Sequence, residues 1–149
     1  MFQITPYKSV GPIRFGMSVA ELIEAVGDPV KITKNRLGEL DYRYPGFRVA
    51  LSSKDRTVAE IGLVPEADAI IDGVTIFSSP DSFARLVKKD GNPYEYVGFV
   101  VLLNLGLTMT GFHDNDDSQK AVTVFAKGRW DGVKSQLKKF GGTKARRYS

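Results

Sequence analysis

The sequence has no cysteine and only one histidine, His113, among its 149 residues. Without cysteine there is no disulfide framework, no thiolate zinc site, no cysteine nucleophile and no lipidated cysteine. A single imidazole also excludes a multi-histidine metal site within one chain. No apolar run approaches the roughly 18 residues needed to cross a bilayer. The opening MFQITPYKSV lacks the basic start and apolar stretch of a secretory signal. These absences set the expectation of a soluble, cytoplasmic protein. Catalytic signatures are missing too: there is no GxSxG elbow, P-loop or dinucleotide glycine fingerprint, and no serine motif lies beside the lone histidine. The expectation is a protein that is not an enzyme and uses no cofactor. Carboxylate acid/base pairs among the 17 acids stay open, because spatial pairing is invisible in a sequence.

What is present is an ordinary globular balance, with 42% hydrophobic and 26% charged residues, which excludes a wholly disordered chain. The length fits a single domain, 1–149. Charge is unevenly placed. From Trp130 to Ser149 six cations (Lys134, Lys138, Lys139, Lys144, Arg146 and Arg147) face the single acid Asp131, so the first 129 residues carry −1 of the overall +4. A basic tail of this kind binds phosphates or simply keeps a terminus solvated.

The sharpest local signal is Ser18-Val19-Ala20-Glu21, a capping box in which serine and glutamate satisfy each other's amides. Val19, Leu22, Ile23 and Val26 then share one helical face, and Gly27 with Pro29 ends it. Alternating segments follow at Val30–Thr33, Glu39–Tyr44, Phe47–Leu51 and Thr57–Leu63, with Pro45-Gly46 as a turn. The second half has a similar order. Ser79-Pro80-Asp81 opens a helix bearing Phe83, Leu86 and Val87, and Gly91-Asn92-Pro93 closes it. Strand-like stretches come next at Tyr94–Leu105, Leu107–Thr110 and Ala121–Ala126.

This pattern predicts an α+β fold of two tandem helix-plus-antiparallel-sheet repeats, about 10–64 and 70–127. The repeats would form one continuous sheet with both helices on one face, which gives each short unit a core it lacks alone. Trp130, Val133, Leu137 and Phe140 fall on one side of a predicted C-terminal helix over Asp131–Phe140, and the basic tail runs on to 149.

Candidate binding residues come from two places. Tyr42 with Tyr44, and Tyr94 with Tyr96, are i, i+2 pairs, so each pair projects onto one sheet face. On a covered face they are core; on an open face they form a platform for a protein or for single-stranded nucleic acid. Arg48, with Arg43, is countered by Glu39, Asp41 and Glu95, so no phosphate-tracking groove is evident. The second place is the loop His113-Asp114-Asn115-Asp116-Asp117. Its oxygens suit calcium or magnesium, although it lacks the glycine and distant glutamate of an EF-hand. It also reads as an acidic finger for a cationic partner pocket, or as a solvated turn.

Gly11-Pro12-Ile13-Arg14-Phe15-Gly16-Met17-Ser18, continuing to Val26-Gly27-Asp28-Pro29, resembles the opening of the unit shared by small outer-membrane assembly lipoproteins and tandem-repeat β-lactamase inhibitor proteins. With Lys127-Gly128-Arg129-Trp130-Asp131 after the second half, the chain is similar to bacterial immunity proteins encoded beside polymorphic toxins. The second half departs from the motif, with Ser78-Ser79-Pro80 in place of Gly-Met-Ser. The resemblance implies a noncatalytic protein that binds and inhibits a cognate protein toxin, with no catalytic residues to carry over and no membrane anchor. Tyr42, Tyr44, Arg48, Tyr94, Tyr96, His113, Asp114, Asp116 and Asp117 are its candidate partner-binding residues, and no metal is expected. The alternative is a small nucleic-acid-binding module using the basic tail and the tyrosines. Oligomeric state is not encoded in any pattern here.

Overall fold

A computed structural model describes residues 1–141. The chain begins with three short strands, β1 (Phe2–Thr5), β2 (Ser9–Val10) and β3 (Ile13–Arg14), and enters helix α1 (Val19–Val26). Strands β4 (Lys31–Lys34), β5 (Leu40–Tyr44), β6 (Phe47–Leu51) and β7 (Val58–Leu63) follow, then β8 (Ala69–Ile71) and β9 (Val74–Thr75). After helix α2 (Ser82–Asp90) come β10 (Tyr94–Tyr96), β11 (Phe99–Leu102), β12 (Leu107–Thr110) and β13 (Ala121–Phe125). The described residues end with a 3-10 stretch, Asp131–Gln136, and the two-residue strand β14 (Lys138–Lys139).

The strands form two sheets. Nine antiparallel strands run in the order β14-β10-β11-β12-β13-β7-β6-β5-β4, and five make a second sheet, β3-β2-β1-β8-β9, in which β1 and β8 pair parallel. The expected α+β architecture of two helix-plus-sheet repeats on one continuous sheet is therefore wrong: the fold is predominantly β, and its strands divide between two sheets. The reason is coverage. Nine strands span about 40 Å, whereas helices of eight and nine residues are only about 12–14 Å long. The segments leading into the helices supply the missing cover by pairing with each other as the second sheet. Ile4, Val10, Ile71 and Val74 from that sheet share one buried cluster with Val49, Ile61, Met109 and Val124 from the large sheet, and with Leu22 and Leu86 from the helices.

The local signals in α1 hold. Ser18 Oγ accepts from the Glu21 amide at 3.2 Å, Glu21 Oε1 accepts from the Ser18 amide at 3.0 Å, and Gly27 closes the helix at φ 85°. Helix α2 starts later than Ser79-Pro80 implied, because the Ser82 hydroxyl turns back to donate to the Ile76 carbonyl at 2.5 Å. The predicted C-terminal helix over Asp131–Phe140 is also corrected. Gly132 sits in its first turn, the 3-10 stretch stops at Gln136, and Lys138–Lys139 add to β10 instead. Of the basic tail, Lys144, Arg146 and Arg147 lie outside the described residues.

Candidate protein-binding face

Alternation along the strands gives the nine-stranded sheet two unlike faces. Val100, Leu102, Met109, Val122, Leu63 and Val49 point into the core. The opposite face carries a single cross-strand row, Lys31–Arg43–Arg48–Gly62–Thr123–Thr108–Val101–Tyr94. From the second sheet, Tyr7 in the turn between β1 and β2 reaches this face, 5.8 Å from Phe125.

Three cations stand side by side in that row, an arrangement that is repulsive unless carboxylates intervene. They do. Arg48 reaches Asp41 at 3.3 Å and Glu60 at 2.8 Å, and Arg43 lies 3.8 Å from Asp41. Gly62 makes this geometry possible, since a Cβ there would sit 2.9 Å from Arg48 Nε. The missing side chain lets Arg48 lie flat along the sheet. Arg129, arriving from beyond β13, closes the network with a two-pronged contact to Glu39 at 2.5 and 2.8 Å and a third contact to Glu60 at 3.2 Å. The Arg129 hydrogen bonds hold the Glu39 carboxyl below its ordinary value, against the opposing effect of burial. The same pairing raises Arg129 further above the usual guanidinium range.

The stretch that carries Arg129 also covers one half of this face. Trp130 meets Tyr96 edge-on at 5.5 Å and lies 6.0 Å from Phe125. The other half is open. There Arg43, Arg48, Gly62, Thr123, Thr110 and Phe99 line a groove of about 450 Å³. Phe99 keeps 40% of its surface exposed and Val64 37%.

The sequence candidates fall in three separate places. Tyr42, only 9% exposed, is core. Tyr44 shares its face, stacks on Phe47 at 4.7 Å and donates its hydroxyl to the Gly27 carbonyl at 2.9 Å; burial raises its pKa. Tyr94 and Tyr96 lie on the opposite face with Arg48, Tyr94 Oη accepting from Asn92 Nδ2 at 2.8 Å. His113 packs between Phe83 and Phe140, with a buried Nδ1 that has no hydrogen-bond partner among the described residues. Asp114, Asp116 and Asp117 are exposed. Asp116 Oδ1 accepts from the Ser118 amide at 3.2 Å and its hydroxyl at 2.6 Å, while Asp117 pairs with Lys120 at 2.9 Å. The loop oxygens thus serve the loop's own turn. Among the described residues, no three His, Asp or Glu side chains gather as a metal site would require.

No protein-family model matches this chain, and no curated protein matches it in sequence. Among solved structures it is similar to an extracellular protein containing an SCP domain from Bacillus anthracis str. Ames, at 11% identity and a TM-score of 0.49. The match covers 78% of this chain, which spans only 45% of that protein's length.

Glu60 and Arg129 are the residues of this charged network that patterning alone did not single out. Glu60 was readable as an outward position between Val58 and Ile61. Arg129 follows a glycine outside any periodic segment, and only the fold places it 69 positions away against Glu60.

Proposed function

We propose that this chain is a noncatalytic, immunity-type protein that presents the open face of its nine-stranded sheet to a protein toxin inside the producing cell. The observation that carries this reading is the groove between Arg48 and Phe99, a part-apolar channel that opens on the outer sheet face and reaches round to Tyr44, Phe47 and Leu63 at the margin of the core. Exposed aromatic and arginine residues around a concave apolar floor are the groups that supply most of the energy in protein interfaces. The resemblance to immunity proteins points to a toxin as the partner. A nucleic-acid groove is disfavoured by the ion pairs, since Arg43, Arg48 and Arg129 already face carboxylates and a phosphate would have to displace them.

The test is co-expression with a toxin domain encoded by a neighbouring reading frame. Wild-type protein restores growth and co-purifies with the toxin. Thr123→Arg fills the groove and abolishes both effects with an unchanged melting temperature. Full protection by Thr123→Arg, or no complex with wild type, overturns the proposal.

A further inference from the structure

We infer that β4, the outer edge of the nine-stranded sheet, is a strand-addition site for an acidic, extended segment of a partner protein, one that alternates carboxylates with aliphatic residues. The two sheets have four edges, and three of them, β3, β9 and β14, are two-residue strands. Shortness is a usual protection against unwanted pairing. Strand β4 is four residues long, and with Val30 and Asn35 it presents about 20 Å of edge.

Its side chains are unusual for a blunted edge. Val30 is 77% exposed, Ile32 49% and Leu37 68%, so three of the seven large hydrophobic side chains exposed among the described residues fall within eight positions. Single exposed aliphatics are common, but a cluster along a sheet edge and the hairpin turn that follows it marks a contact surface. Between Val30 and Gly38 the charged residues are Lys31, Lys34 and Arg36, all exposed, with no acid among them.

The register puts Ile32 and Lys34 on one face of the edge and Lys31 and Thr33 on the other. Ile32 is opposite Tyr42, so it extends the apolar inner face outward. Lys31 is opposite Arg43, on the open face. A second copy of β4 would bring the cations Lys31, Lys34 and Arg36 to an edge that already carries the same three, which like-charge repulsion disfavours. An added strand with glutamates on the open face and valines on the inner face sets a carboxylate beside Lys31 and a valine beside Ile32, while Lys34 adds positive charge along the same edge. Backbone hydrogen bonds would supply affinity and the alternating side chains the choice of partner. This site is separate from the groove proposed above, and neither depends on the other.

The test uses the full isotopically labelled chain titrated with two blocked peptides, Glu-Val-Glu-Val-Glu-Val and Lys-Val-Lys-Val-Lys-Val, read by amide chemical shifts. The acidic peptide shifts the amides of residues 30–35 and binds about tenfold more tightly than the basic one, as opposed cross-strand charges favour it and like charges oppose its counterpart. The double substitution Lys31→Glu, Lys34→Glu, at two exposed positions, reverses the preference. Equal affinity for the two peptides, shifts located away from β4, or an acidic preference that survives the double substitution overturns the inference. The wild-type comparison decides on its own should the double variant lose its melting transition.

Discussion

Tyr42 with Tyr44 and Tyr94 with Tyr96 are the same motif twice, an i, i+2 tyrosine pair in a strand of one sheet, yet the first pair faces the core and the second faces away from it. The period of two requires only that partners share a face. Which face is decided by what else the chain can bring to it. On the inner side, α1 and the second sheet bury Tyr42, and Gly27 receives the Tyr44 hydroxyl. On the outer side, Trp130 and Gln136 come to Tyr96, Tyr7 and Trp130 cover Phe125, and the far half carries paired charges and an open groove. The inner face thus serves stability, and the outer face leaves its half beside Phe99 open for contact.

The most direct way to break this contrast is to truncate one tyrosine from each pair. Tyr42→Ala should lower stability by about 3 kcal/mol, the low end for emptying a buried aromatic site, with a matching fall in denaturant midpoint. Tyr96→Ala should cost only about 1 kcal/mol, the scale of one lost aromatic pair. Equal losses would show that the outer face is packed as tightly as the inner one.

The charged network sharpens the comparison, because it is a part of the outer face where charge is well buried. Glu39 is 4% exposed and Asp41 5%. Arg129→Ala leaves Glu39 without its main partner and should cost about 2 kcal/mol, in the range for hydrogen bonds to charged groups. The pH dependence has a definite sign. The folded state holds Glu39 below its ordinary 4.5, so its contribution is fully present above that value and fades as pH falls through the lower, folded one. Wild type should therefore lose stability more steeply than Arg129→Ala on acidification below the ordinary glutamate range, as read by urea midpoints at stepped pH.

How much of this was legible in the sequence follows a physical line. The α1 cap and strands β5, β6, β7 and β12 were readable because their determinants are local: a serine three residues before a glutamate, a Pro-Gly turn, apolar alternation. Strand character at Ile13-Arg14-Phe15 and Val74–Phe77 was readable too, but their membership of a second sheet was not, because β2 has two residues, too few to show a period, and because β1 pairs with β8 across more than sixty residues. The stripe Trp130, Val133, Leu137 fits a 3-10 stretch about as well as an α-helix, and it misled for that reason. Glu39 and Asp41 were visible as countercharges to Arg48, but the arrival of Arg129 is a tertiary event with no local trace.

The smallest expected effect on folding belongs to the acidic loop, and there the contrast between stability and contact is cleanest. Asp116 is exposed, and its carboxylate supports only the three-residue turn Asp117–Gln119. Asp116→Arg should cost about 0.5 kcal/mol, the low end for losing a capping oxygen, a change in melting temperature barely above measurement error. Should the loop meet a cationic pocket on the toxin, the same substitution sets like charge against like charge and slows association, with a salt dependence weaker than that of wild type. Association rates measured at two ionic strengths separate the possibilities. A rate and salt slope matching wild type would remove the loop from the interface and leave the groove beside Phe99 as the contact surface.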